Sequence, residues 1–307
     1  MAPVVVVDPG ADAATCLAAR FEGVEEHAFG FEAAPQALDE DVIEPDLPIC
    51  DPHHHLWGDR DGAIMPRYLL EELMADIDTG HNIVSTVFVE AKAMYRADGP
   101  EPMKAVGEIE FVNGVAAMSA SGLYGNTRVA AGIIGATDLD VGEPVGEVLD
   151  AMIAAAPDRF RGIRCSATWD EDAVVRQHRK APPRRMMSAG HRAGVAELGK
   201  RGLVYEAWCF HTQIPELTDL ARALPDVDIV LDHLGGPIGI GAAYEGRRDE
   251  IMEEWKRAIS DLAECANVSV KLGGIFMEVN GFGWHERPTP PTSDELAEAG
   301  RPYFEYA

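Results

Sequence analysis

Basic residues are scarce in this sequence of 307 residues. Its 26 lysines and arginines stand against 52 aspartates and glutamates, a formal net charge of −26. So acidic a chain cannot replace the counterions of phosphate, which argues against nucleic-acid binding and against docking on anionic lipid. Cysteines are few as well. Cys16, Cys50, Cys165, Cys209 and Cys265 are scattered, odd in number and without a C-x-x-C pair. That excludes a disulfide frame or a zinc ribbon and points to buried thiols in a reducing cytoplasm. No apolar run approaches the roughly 20 residues that a membrane span requires. The opening MAPVVVVDPG lacks the basic segment of a secretory signal. A glycine-rich nucleotide fingerprint after the first strand is also missing, since GGPIGIGAAYEG (235–246) follows the sixth.

What is present is a rhythm. Residues 1–46 are acidic, Ala-rich and weakly patterned and read as an N-terminal extension. From residue 47 onward, short apolar runs recur: LPICD (47–51), IVSTVFVE (83–90), RVAAGIIG (128–135), FRGIRC (160–165), LVYEAWCF (203–210), DIVLDH (228–233) and VSVKLGG (268–274). Nearly continuous apolar runs suit strands buried on both faces of a parallel sheet. Between them lie segments of helical spacing near 68–78, 108–120, 146–156, 193–202, 215–225 and 250–266. A last helix opens at TSDELAEAG, where Thr292 or Ser293 can cap. Strict alternation of strand and helix gives either a doubly wound sheet or a (β/α)₈ TIM barrel, and a unit count close to eight without a nucleotide fingerprint favours the barrel over 47–307. Seven units are one short of closure, so the domain reads as C-terminally truncated unless another segment, such as PVVVVD (3–8), fills the gap. Open sheet edges would recruit a partner strand or a second copy.

In such a barrel the chemistry sits where strands end. Those positions hold Asp51, His53 and His55, then Glu90, Arg164, His211, Asp232, His233 and Lys271. In extended chain, alternate side chains share a face, so His53 and His55 point together into the mouth and His54 points away. Two imidazoles at i and i+2, joined by His211 and His233 at later strand ends, can hold one divalent ion. His54 then has a packing or supporting role. Arg164 either grips a substrate carboxylate bidentately or pairs with Asp170, Glu171 or Asp172. Glu90 either contacts substrate or balances Lys92. His233 either transfers a proton or is a structural histidine hydrogen-bonded near Asp232. Lys271 is an interior ion-pair partner or a substrate contact. His285 reads as a surface residue, and Trp57, Trp169 and Trp208 as packing. Cys165 and Cys209 read as small buried apolar residues rather than thiolate nucleophiles.

The set DPHHHLW, VFVEAKAMYR, GIRC, HTQIPEL, VLDHLGG and VKLGG resembles the amidohydrolase superfamily over about residues 46–307. It is most similar to the branch with sugar lactonases and 2-pyrone-4,6-dicarboxylate lactonase. The resemblance implies a hydrolase that opens a small carboxylated lactone or similar cyclic ester with an activated water. It implies metal ligands at His53, His55 and His211, a strand-six histidine, His233, that binds metal or aids catalysis with Asp232, and substrate contacts from Arg164, Glu90 and His211. Because Arg164 stands where binuclear members carry a bridging residue, at most one metal is implied, zinc or manganese. Some lactonases of this branch work without any. The family's acidic residue after strand eight has no counterpart in the sequence. The rival readings are a decarboxylase of an aromatic or muconate-like acid on the same fold, and an inactive fragment or barrel-derived binding protein.

Overall fold

A computed structural model describes residues 45–58, 66–175 and 181–307. The expected extension at 1–46, PVVVVD included, lies outside the described residues but for its last two positions. Seven strands alternate with seven helices: β1 (Ile49–His54), α1 (Leu70–Ile77), β2 (Ile83–Val89), α2 (Val106–Ala120), β3 (Arg128–Gly135), α3 (Gly146–Ala155), β4 (Phe160–Arg164), α4 (Ala189–Gly199), β5 (Val204–Ala207), α5 (Ile214–Ala223), β6 (Ile229–Leu231), α6 (Arg248–Leu262), β7 (Val268–Val270) and α7 (Ser293–Phe304). The strands form one parallel sheet in the order β1 to β7. Among the described residues β1 and β7 share no ladder. Lys271, just past β7, nonetheless reaches His53 on β1 with 3.2 Å between Nζ and Nδ1. The sheet therefore curls until its two edges face each other, as seven units of a (β/α)₈ barrel.

The period of two sorts the strand residues into layers. Val87, Val89 and Ile134 join Ile49 and Cys50 in an apolar cluster inside the curl. Their neighbours Phe88 and Ile133 face outward into the larger core shared with the helices. The helices meet that core with the period of 3.6: α6 buries Ile251, Trp255, Ile259 and Leu262. Trp255 also donates from Nε1 to the Leu234 carbonyl at 2.7 Å, tying α6 to the turn after β6. Thr292 caps α7 as the TSDE spacing predicts, with Glu295 answering its backbone N–H at 2.8 Å.

The last three strands are shorter than the apolar runs suggest. Beyond Ala207 and Leu231 the chain leaves the ladder for tight turns at His211–Gln213 and Asp232–Gly235. A ladder fixes which way each side chain points; a turn frees it, and the polar residues sit in or beside the turns. The four cysteines among the described residues, Cys50, Cys165, Cys209 and Cys265, are buried and unbridged. Burial pushes the Cys165 thiol up to about 11 and raises that of Cys209 further, which leaves neither as a thiolate. Among the described residues no helix is long and apolar enough to cross a membrane.

Candidate active site

The three consecutive histidines divide by strand alternation. His54 points outward, its Nε2 2.9 Å from the Thr86 hydroxyl and its ring edge-on to Phe88 at 5.9 Å. Burial drives its pKa down to about 3. The unfolded chain takes up this proton first, near 6.5, so the stability contributed by the neutral ring is present above that pH and lost on acidification. Each pH unit inside the window removes about 1.4 kcal/mol. Between pH 7 and pH 5 the wild type should therefore lose about 2 kcal/mol more than His54→Gln in urea denaturation. Equal losses would show that this ring is not held neutral.

His53 and His55 share the inward face, with ring centroids 5.0 Å apart. His55 Nδ1 lies 2.7 Å from the Val89 carbonyl. A carbonyl only accepts, so Nδ1 carries the proton and the lone pair is on Nε2, as a metal ligand or acceptor requires. His53 meets a cation on each side: Arg164 Nη1 is 3.2 Å from Nε2, and Lys271 Nζ is 3.2 Å from Nδ1. Burial and then the Lys271 charge hold the His53 ring well below the usual histidine range, so it is neutral.

Above the apolar inner layer lies a charged one, set by inward positions on β4 and β5 and just past β7. Arg164 donates from Nε to Glu90 Oε1 at 3.0 Å and from Nη2 to the Glu90 carbonyl at 2.9 Å. The expected pairing of Arg164 with Asp170, Glu171 or Asp172 gives way to Glu90, and Glu90 balances Arg164 rather than Lys92. The bidentate edge expected to grip substrate is thereby taken up within the protein. Asp170 instead accepts from the Tyr244 hydroxyl at 2.6 Å, and Asp172 from the Ala242 amide at 2.8 Å. Lys271 donates to Glu206 Oε1 at 2.8 Å and lies 3.2 Å from Asp232 Oδ1. Burial works against the Lys271 ammonium, but Asp232 and Glu206 outweigh it and keep it charged. Glu206 is pushed up to about 7 by its burial, with Lys271 opposing. The sequence reading passed over Glu206; its signal was a carboxylate inside the apolar run LVYEAWCF.

Asp232 and His233 follow β6. His233 adopts φ 53°, and its ring centroid lies 4.7 Å from that of His53, tilted to it, and 4.7 Å from that of Trp208, edge-to-face. A histidine in left-handed backbone is strained, a cost the packing around it must offset. Gly274 provides the room: a Cβ there would lie 2.1 Å from His233 Nδ1. Gly274→Ala should thus displace the ring and lower turnover about 100-fold, as misplacement by an ångström does elsewhere. Gly246→Ala is the control. It too has positive φ, but its Cβ would meet nothing within 4 Å, so activity should persist. Equal activity in the two variants would remove His233 from the machinery.

Burial opposes ionisation of Asp232, yet Lys271, His233 and Arg164 outweigh it and hold the carboxyl below its usual range. Both carboxylate oxygens are buried without an aligned hydrogen bond. His53, Asp232 and His233 each offer a ligand atom, and these lie within 4.8 Å of one another. Of the expected ligands, His53 is in this group, and so is His233, expected either to bind metal or to aid the reaction, whereas His55 stands beside it and His211 outside it. His211 accepts from the Ile238 amide at Nδ1, 3.2 Å away. Burial lowers its pKa to about 4, so the neutral ring carries its proton on Nε2, which is buried without a hydrogen-bond partner. That tautomer turns the expected ligand into a hydrogen-bond donor. His285 lies exposed beside Glu286, as expected for a surface residue.

This geometry can be set beside known proteins. The family model described as amidohydrolase matches residues 50–303. An uncharacterized protein, y4mH, of Sinorhizobium fredii is 30% identical over 273 residues, covering 83% of this chain and 81% of that one. A zinc-bound amidohydrolase of Burkholderia multivorans shares the fold at TM-score 0.57 and 21% identity, over 84% of this chain and 79% of its own. Its crystal form with HEPES bound gives 0.53 and 22%, with the same coverage. The chain belongs to the amidohydrolase family and is an enzyme of that type.

Proposed function

We propose that this enzyme hydrolyses a small carboxylated lactone or similar cyclic ester. The observation that carries the reading is that the neighbouring strands β5 and β6 lead into a neutral imidazole with its proton on Nε2, His211, and a buried ionised carboxylate, Asp232. One is a proton acceptor for water and the other a donor for the ester carbonyl. Water oxygen bonds to the acyl carbon, and its proton passes to an Asp232 oxygen. The His211 Nε2–H supports the charge that develops on the carbonyl oxygen. The ring C–O bond then breaks, and the proton returns, through His233 beside Asp232, to the departing oxygen. Arg164 orients His53 from Nη1 at 3.2 Å and, with Lys271, gives the site the positive charge that suits a carboxylated substrate.

A divalent cation, zinc or manganese, suits this donor set. The zinc of the Burkholderia amidohydrolase supports that reading. So does the buried Asp232 carboxylate, held ionised beside the two histidines. His53, Asp232 and His233 would hold it, with the lone pair of His55 Nε2 alongside. When bound, such an ion polarises a carbonyl and lowers the pKa of water toward about 7.

The test is a panel of neutral and carboxylated lactones followed by proton release at constant pH, with carbon dioxide measured in parallel on aromatic and muconate-like acids. Ring opening confined to carboxylated lactones supports the reading. Carbon dioxide release without ring opening would replace it with a decarboxylase, and equal rates on neutral lactones would remove the carboxylate from it.

A further inference from the structure

The place where the three donors converge is already served by a cation of the chain. Lys271 Nζ lies 3.2 Å from Asp232 Oδ1, 3.2 Å from His53 Nδ1 and 2.8 Å from Glu206 Oε1. Lys271, Glu206 and Asp232 are all buried, so this charge is not shared with solvent. The other nitrogen of His53 faces Arg164 Nη1 at 3.2 Å. A neutral imidazole has one lone pair, and two cations compete for it. A metal ion that used His53 would have to displace one of them. Arg164 is anchored twice on Glu90, through its carboxylate and its carbonyl. Lys271 has a flexible stem, and Glu206 can keep it when it withdraws.

We infer that Lys271 is a resident ammonium that competes with a divalent metal for His53 and Asp232, with Glu206 as the anchor that receives Lys271 when metal binds. This rests on the reading of His53, Asp232 and His233 as the metal-holding set. Metal and ammonium exclude one another at two of three donor atoms, so the affinity of the site for metal is set by a lysine that is not itself a ligand. Glu206 then governs metal affinity from a position that touches no donor. Removing its charge deprives Lys271 of the alternative anchor and leaves it on Asp232.

The experiment measures zinc alone, without substrate, by equilibrium dialysis and by the melting temperature with and without the ion. Four proteins are compared: wild type, Glu206→Gln, the double variant Lys271→Met with Glu206→Gln, and Asp232→Asn. The double variant removes one buried charge of each sign, which protects its folding where Lys271→Met alone would strand Glu206. Its zinc affinity should rise at least about tenfold over wild type, with a larger zinc-induced rise in melting temperature. That of Glu206→Gln should fall below wild type. Should the double variant bind no more tightly than wild type while Asp232→Asn abolishes binding, the competition is overturned and the metal site stands. Should none of the four bind zinc, the metal site falls and the competition with it.

Discussion

Replacing Asp232 by asparagine should lower the turnover of whichever lactone the panel identifies by about 10²- to 10⁴-fold, the range that removal of a positioned general base produces. In free energy this is about 3–5 kcal/mol of transition-state stabilisation. The substitution is close to isosteric, so the packing of the turn after β6 need not change. What changes is the ability to take a proton. Lys271, His233 and Arg164 hold the Asp232 carboxyl below its ordinary range, so it is ionised at neutral pH and ready to accept. The amide cannot accept in the same way, and it leaves Lys271 with Glu206 as its remaining carboxylate partner. The loss should appear in kcat and in kcat/KM alike, because the proton moves in the transition state and not in the bound ground state. Thermal melting separates this from unfolding. A variant that melts close to wild type and retains more than about a tenth of its turnover would take the base role away from Asp232 and return it to His233.

The route from sequence to this site was uneven, for physical reasons. The seven strands were legible because a parallel sheet covered by helices buries both faces and writes itself as runs such as IVSTVFV and RVAAGIIG. The division of His53 and His55 from His54 was legible because strand alternation is local. So was the location of Asp232 and His233, since a polar pair closing an apolar strand marks a barrel mouth. Pairings between distant strands were not legible. Arg164 and Glu90 are 74 positions apart, and near acidic residues at 170–172 offered a plausible partner that the fold does not use. Nothing in HTQ could say that His211 would receive the Ile238 amide, 27 residues on, and so become a donor. The room for His233 is made by Gly274 on another strand end. Alternation finds the candidates; contacts between strands assign the protonation states, and those decide the roles.

Arg164→Met should destabilise the fold by about 3–5 kcal/mol, because it takes from the buried Glu90 carboxylate the counter-charge that Arg164 supplies. Glu90 is fully buried and Arg164 nearly so, with the two joined at 3.0 Å. At about 2–4 °C per kcal/mol the melting temperature should fall by roughly 10 °C. Glu90→Gln should cost less, since the amide oxygen can still accept from Nε and the Glu90 carbonyl still accepts from Nη2. The double variant is the informative one. With both charges gone, no ion is left without its partner, and the melting temperature should recover much of the loss despite two substitutions. Such a cycle measures coupling directly, and strictly additive effects would mean that the pair contributes no mutual stabilisation. Stability and activity should then part company. Arg164 also presents Nη1 to His53 Nε2 at 3.2 Å, a contact the double variant cannot restore. A folded double variant with turnover still depressed would place Arg164 as the residue that positions His53. A double variant recovering both would confine Arg164 to balancing Glu90, and would leave the orientation of His53 to Lys271 alone.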